Sequence, residues 1–209
     1  MLSIVEARVL GCLLEKERTV PDQYPLTLNA LVTACNQATS REPVMHLEEH
    51  EVLTALTELK GAGFIRFVHP SHGRSVTRYR QVADEVWRVE PPAAAIIAVL
   101  LLRGPQTVSE LRTRTERQHT FGSLAEVEDT LHELAGAGHV QLLDRQSGQK
   151  EARWQQLLAE EPEPSVRAAA ARTVVTMAPA APDPELVARV AELEARVAKL
   201  EAALADLLS

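Results

Sequence analysis

The sequence VLTALTELKGAGFIRFV, residues 52–68, returns 75 residues later as VEDTLHELAGAGHVQLL, residues 127–143. In both copies apolar residues recur at helical spacing until a Gly-Ala-Gly sequence interrupts them. The glycines predict the end of a helix, because glycine accepts the left-handed conformation that helix C-termini often need. A short β-prone run follows each copy. The stretch therefore predicts a helix–glycine–strand unit that the chain uses twice.

The flanking sequence predicts the remaining parts of each unit. Thr27 is the expected N-cap of the second helix. Three helices followed by a hairpin is the order of the winged helix, a variant of helix-turn-helix. The expected fold class is mainly α with small β-wings, that is, α+β. The first unit has predicted helices over 2–17, 26–38 and 47–62 and strands over 64–69 and 75–82, joined by a turn at 70–73. The second has predicted helices over 92–103, 108–115 and 124–137 and strands over 139–144 and 151–157.

Composition divides the chain into four predicted segments. Two winged-helix domains are expected over 1–83 and 84–158. Residues 159–184 form a Pro/Ala-rich linker, with five of the chain's 12 prolines between 160 and 184. Residues 185–209 carry apolar side chains at unbroken heptad spacing and predict a C-terminal coiled-coil helix.

The heptad segment predicts a parallel homodimer. Valine at the a positions and leucine at d favours two parallel strands. In that arrangement Arg189 faces Glu194 of the partner helix, and Arg196 faces Glu201. The alternative is a single helix packed back on its own domain. The predicted core residues are Leu186, Val190, Leu193, Val197, Leu200, Leu204 and Leu207.

Charge and composition limit the classes of function. The 209 residues carry a net charge of −7, and residues 1–158 alone hold 17 basic against 20 acidic side chains. Such a balance differs from the basic field of proteins that bind nucleic acid by bulk electrostatics. Cys12 and Cys35 lack metal-ligand spacing and predict reduced thiols in the cytoplasm. The N-terminal residues indicate an amphipathic helix rather than a signal peptide, and the longest apolar run, 91–102, is too short to span a membrane.

Residues 6–44, EARVLGCLLEKERTVPDQYPLTLNALVTACNQATSREPV, resemble the signature of the YceH family, bacterial proteins of tandem winged-helix fold. The resemblance extends through the first hairpin, and the second unit and heptad tail are similar too. It implies the tandem fold and a cytoplasmic bacterial setting. It implies no reaction.

Basic residues gather on the first predicted hairpin. Arg66, Arg74, Arg78 and Arg80 are the candidates for contacts to a phosphate backbone or to an acidic protein. The alternative is an ordinary charged hairpin whose alternate residues face solvent.

A polar block follows the second predicted helix. Asn36, Gln37 and Arg41 are candidates for a partner-binding surface, because amides and a guanidinium supply planar hydrogen bonds. The alternative is structural, with Asn36 capping a helix end and its neighbours bonding the turn.

The third helices argue against reading DNA in the usual way. A winged helix normally enters the major groove with the N-terminal residues of its third helix. That end carries Glu48, Glu49 and Glu51 in the first unit, and Glu126 and Glu128 in the second. Carboxylates repel phosphates, although acids at a helix N-terminus also complement the helix dipole.

Sequence motifs of catalysis are absent. The chain has no GxSxG, P-loop or GxGxxG sequence, and no HExxH surrounds the pair His46 and His50. We therefore predict no enzyme activity, no cofactor and no metal site. The leading prediction is a dimeric, DNA-binding, transcription-related regulator that uses its first wing. The alternative is a protein–protein adaptor that uses the acidic third helices and the polar block at residues 36–42.

Overall fold

The computed structural model describes residues 1–69, 76–145 and 151–160. Helices with small antiparallel sheets confirm the α+β class. The first repeat contains α1 (Ile4–Thr19), β1 (Leu26–Thr27), α2 (Leu28–Cys35), α3 (Glu49–Gly61), β2 (Ile65–Val68) and β3 (Arg78–Gln81). The second repeat contains α5 (Pro91–Arg103), α6 (Val108–Thr115), α7 (Leu124–Gly136), β4 (Val140–Leu143) and β5 (Arg153–Gln156). Helix α4 (Ala83–Trp87) connects the repeats, and a 3-10 turn, Pro21–Gln23, follows α1.

Side-chain caps fix where several helices begin. The hydroxyl of Ser3 accepts the amide of Glu6 and starts α1, and Ser123 starts α7 in the same way. Thr27 accepts an amide of α2, which confirms its predicted capping role. Thr107 repeats that contact at the start of α6. Each cap satisfies an amide that has no partner within its helix.

The helix–glycine–strand junction has the same geometry in both repeats. Gly63 and Gly138 adopt φ angles of 84° and 77°, the left-handed region that glycine occupies without strain. The next amide, of Phe64 or His139, donates to a carbonyl five residues earlier at 2.9 Å in both cases. The repeated sequence therefore encodes a repeated backbone.

The two hairpins also correspond. Strand β2 pairs antiparallel with β3, and β4 pairs antiparallel with β5. In the first repeat β1 adds a third strand through the Leu26–Tyr79 pair. In the second, Gln106 makes a bridge to Trp154 at the equivalent place. In each repeat, extended residues just before the second helix thus pair with the hairpin.

Two elements differ from the sequence prediction. Helix α2 is Leu28–Cys35 rather than 26–38, because the residues before it are extended and pair with β3. Helix α4 was not predicted. Its start is fixed by Gln81, whose side-chain oxygen accepts the amides of Ala83 at 2.7 Å and Asp84 at 3.3 Å. The other helices match their predicted bounds to within a few residues.

The repeats share one core. Helix α5 buries ten consecutive residues from Ala93 to Leu102, and it packs against α1. A Cβ on Gly11 of α1 would lie 3.0 Å from the Leu102 side chain, so the helices approach closely here. The backbone amide of Glu42 also donates to the Leu102 carbonyl at 2.8 Å. All described residues belong to one compact unit, Met1–Arg167.

Several predictions concern residues that the structure does not describe. The turn at 70–73, Arg74, the linker beyond Glu160 and the heptad segment lie outside the described residues. The coiled coil and the domain boundaries stay predictions. Among the helices that the structure does describe, none is long and apolar enough to cross a membrane.

Candidate functional site

The polar block between α2 and α3 is built around Arg41, whose side chain is 0% exposed. Its guanidinium donates to both carboxylate oxygens of Glu15, at 2.7 and 3.2 Å, and to the side-chain oxygen of Gln37 at 2.9 Å. It also donates to the carbonyl of Ala34 at 3.0 Å. The prediction of Arg41 as a surface contact therefore needs correction, because the side chain is buried and used within the chain.

The carboxyl of Glu15, the partner of Arg41, has a lowered pKa. Burial acts to raise the pKa of the Glu15 carboxyl, but the hydrogen bonds and positive charge of Arg41 outweigh it and lower the pKa below its ordinary value. The adjacent Lys16 ammonium, 3.1 Å away, acts in the same direction. Glu15 is therefore ionised at neutral pH and balances a buried guanidinium.

A second buried arginine holds the same loop. Arg8 donates to the carbonyl of Cys35 at 3.0 Å and to that of Pro43 at 2.6 Å. Burial lowers its pKa. Cys12 and Cys35 are both free and buried, which agrees with predicted thiols in a helical core. This part of the chain is a structural network.

Asn36 and Gln37 also hold the loop. The Asn36 side chain donates to the carbonyl of Leu47 at 2.8 Å and accepts the Leu47 amide at 2.7 Å. Gln37 accepts from Arg41, and both amide side chains belong to half-buried residues. The contacts favour the structural interpretation of the three predicted partner-surface residues.

The basic hairpin exposes three arginines, Arg66, Arg78 and Arg80. Arg66 and Arg80 are cross-strand neighbours, and each lies 3.8 Å from the Glu85 carboxylate of α4. Exposed ion pairs of this kind stabilise a protein by about 1 kcal/mol or less. The contacts with Glu85 are therefore easily broken, and both arginines remain accessible to a partner. Arg78 is also exposed, but its guanidinium donates to the carbonyl of Pro25 at 2.8 Å.

The contact of Arg78 recurs in the second repeat. Arg153 donates to the carbonyl of Pro105 at 2.9 Å and to the Glu110 carboxylate at 2.8 Å. Burial acts to raise the pKa of Glu110, but the Thr107 amide and Arg153 outweigh it and lower the pKa. Arg78 and Arg153 thus fasten the hairpin to the start of the second helix in each repeat. Sequence reasoning missed this role, although the 75-residue offset aligns the two arginines.

The third helices expose acidic and apolar side chains. Leu53 of α3 is 43% exposed, and Leu124 of α7 is 42% exposed. The Glu51 side chain accepts the Glu48 amide at 2.8 Å, which fixes the start of α3. Helix α7 contains no lysine or arginine, and α3 contains only Lys60. The exposed acids are Glu48, Glu49 and Glu58 on α3, and Glu126, Glu128, Asp129 and Glu133 on α7.

A groove of about 580 Å³ lies between α6, α7 and the β4–β5 hairpin, and we call it the second-repeat groove. Trp154 is 6% exposed, and the ring of His132 stands edge-on to its indole at 5.6 Å. Leu142 is 54% exposed on the hairpin. The sequence did not predict this groove. The one feature that could have indicated it is Leu142, an apolar residue at an outward-facing position of a predicted strand. Its lining residues are Val108, Ser109, Leu124, Glu128, His132, Leu142, Arg145, Glu151, Ala152 and Trp154.

Among residues 1–69, 76–145 and 151–160, no three His, Cys, Asp or Glu side chains are placed to hold a metal ion.

Comparison with known proteins places the chain in a family. Residues 2–149 match the model described as "Protein of unknown function, DUF480". A UPF0502 protein of Geobacter sulfurreducens is 53% identical over 165 residues, which cover 78% of this chain and 74% of the relative. A UPF0502 protein of Solibacter usitatus is 50% identical over 170 residues, 81% and 82% of the two chains. The chain therefore belongs to the DUF480 family of bacterial proteins, and the family confirms the expected bacterial setting. The narrower resemblance to YceH stays a prediction.

Proposed function

We propose that the chain is a non-enzymatic, cytoplasmic protein-interaction scaffold of two tandem winged helices. In each repeat three helices precede an antiparallel hairpin, with an additional strand pairing before the second helix. That order is typical of winged helices. The fold does not determine a function by itself, so the proposal rests on the exposed surface of each third helix.

The exposed face of α7 carries this proposal. It combines apolar Leu124 with Glu128, Asp129 and Glu133, and the helix has no lysine or arginine. Phosphate contacts from basic side chains supply much of the affinity for DNA, and carboxylates oppose them. An exposed leucine beside charged side chains suits a protein partner, since interfaces combine a buried apolar core with a polar rim.

Photo-crosslinking from the third helices tests the proposal. Benzoylphenylalanine placed at Leu53 or Leu124 is expected to capture the same partner protein in bacterial cells, since both residues are exposed on α3 and α7. The same probe at exposed Asp22, on the 3-10 turn, is the matched control and should not capture it. Absence of any protein adduct from both third helices would overturn the proposal.

DNA binding is the second candidate, and exposed Arg66 and Arg80 favour it. The two guanidinium groups lie on neighbouring strands, where they could contact adjacent phosphates. Arg74 would add to them by its place in the sequence. Under this alternative the chain is a regulator whose hairpin, rather than its third helix, contacts DNA. Its mark would be an affinity that falls steeply with salt.

The heptad segment supports a further part of the proposal, a parallel homodimer. Replacing Leu193 and Leu200 together with aspartate in the full chain puts charges at two core positions of the heptad. The wild-type chain is expected to sediment as a concentration-dependent dimer, and the double variant as a monomer. Equal sedimentation of the two proteins would contradict the heptad interpretation.

A further inference from the structure

We propose that the second-repeat groove binds a segment of a partner protein in which an apolar side chain is flanked by lysine or arginine. This inference rests on the proposed scaffold function, and it names the surface and the chemistry of the partner. Three elements form the groove, α6, α7 and the β4–β5 hairpin.

The apolar part of the groove is open and continuous. Leu142 and Leu124 expose 54% and 42% of their surface beside the nearly buried indole of Trp154. A volume of about 580 Å³ accommodates one or two large side chains of a peptide. Covering these leucines would remove apolar surface from water, which is the main favourable term in association.

The charges of the groove favour a basic segment. Among the described residues, its lining holds two carboxylates, Glu128 and Glu151, and one cation, Arg145. Helix α7 also exposes Asp129 and Glu133, which lie outside the lining of the groove. Lysine or arginine beside the apolar anchor would complement this excess of carboxylates, and electrostatic complementarity gives an interface much of its specificity.

The same charges argue against two other occupants. The chain's own heptad segment, 185–209, carries five acidic against three basic residues, so acidic α7 would not attract it. Duplex DNA would place phosphates beside the carboxylates. A separate basic and apolar protein segment is therefore the favoured occupant.

Trp154 reports on its own groove. The full chain has two tryptophans, so Trp87→Phe leaves Trp154 as the single indole while keeping an aromatic ring against Phe64 and His139. The probe is a synthetic peptide of about 12 residues in which leucines recur at helical spacing and lysines occupy the positions between them. Two matched peptides replace lysine with glutamate or leucine with serine, and a fourth has the sequence of residues 185–209.

The leucine–lysine peptide is expected to produce a saturable change in Trp154 emission, while the glutamate and serine peptides bind at least about ten-fold more weakly. Equal binding of the glutamate peptide would overturn the proposal, because charge would not matter. Tighter binding of the 185–209 peptide would overturn it in favour of the chain's own tail. No response to the leucine–lysine peptide would also overturn it.

Variants locate the contact. Leu142→Ser should weaken the leucine–lysine peptide about ten-fold, and Glu128→Lys several-fold with a loss that shrinks at high salt. Matched controls on the first repeat, Val68→Ser and Glu58→Lys, should leave the affinity unchanged, since both residues are exposed there. Equal effects on the two repeats would contradict the groove.

The cross-linking experiment separates failure of the groove from failure of the scaffold. If Leu142→Ser and Glu128→Lys leave capture from the third helices unchanged, the groove proposal fails while the scaffold stands. If neither third helix captures a protein, the scaffold proposal itself fails.

Discussion

The two repeats share several backbone features at equivalent positions and expose different side chains. The same structural roles recur in both repeats at offsets of 75 or 80 residues. They are the glycine junctions, the caps of the second helices and the hairpin arginines. The first hairpin exposes Arg66 and Arg80, whereas the second exposes Leu142 beside a groove. The residues that determine these backbone features therefore recur in both repeats, whereas the solvent-facing residues differ and are free to serve two different contacts.

The connections before the third helices differ as well. The first repeat joins α2 to α3 through residues 36–48, which are held by the buried pair Arg41–Glu15 and by Asn36. The second repeat joins α6 to α7 through residues 116–123 and buries Phe121. A longer connection has more backbone groups to order, and hydrogen bonds to buried side chains supply that order.

Arg41→Ala should have the largest effect on stability. It leaves the Glu15 carboxylate without its buried partner, and breaking such a pair costs about 3–5 kcal/mol. Urea unfolding measures the loss. Arg112→Ala, at an exposed arginine of α6, is the control and should change stability by about 0.5 kcal/mol or less. Comparable small losses in both variants would contradict the network.

Phe121→Ala should come next and should affect the second repeat. Phe121 is 3% exposed, and its ring packs edge-on to His119 at 4.7 Å. Removing a buried ring leaves a cavity and costs about 3 kcal/mol. Thermal or urea unfolding checks this value. A loss of unfolding free energy below about 1 kcal/mol would show that Phe121 does not hold the connection of residues 116–123 in place.

Gly63→Ala and Gly138→Ala should each cost about 1–2 kcal/mol, and the two costs should be equal. A Cβ at either glycine meets no atom within 4 Å, so the positive φ is the only cause. Gly61→Ala and Gly136→Ala are matched controls at the last residue of each helix, where a Cβ is also free, and alanine there should stabilise by up to about 1 kcal/mol. Unequal costs at the two junctions would break the equivalence of the repeats.

Acid should destabilise the first repeat more than the second. The pKa values of Glu15 and Glu110 are both lowered in the folded chain, so their stabilising contribution is present above the ordinary carboxyl pKa of about 4.5 and is lost as pH falls below it. Glu15 is the less exposed carboxylate. Glu15→Gln should therefore reduce the loss of unfolding free energy at acid pH more than Glu110→Gln does. The reverse order would contradict the difference in burial.

The sequence predicted the framework because local rules determine it. Helical spacing, the Thr27 cap and the glycine stops depend on neighbouring residues, and each is present in the structure. The burial of Arg41 could not be predicted, because Arg41 lies in a connection and its partner Glu15 lies 26 residues away on α1. The second-repeat groove was missed for a similar reason, since it exists only when three elements come together.

Binding to duplex DNA tests most directly the central claim, that the chain is a protein scaffold rather than a DNA-binding regulator. A labelled random duplex of about 30 base pairs is titrated with the full chain at about 50 mM salt, where non-specific binding is strong. The account predicts no binding below about 100 μM. Tight binding that falls steeply with salt, and that is lost when Arg66 and Arg80 are both replaced by glutamate, would contradict it.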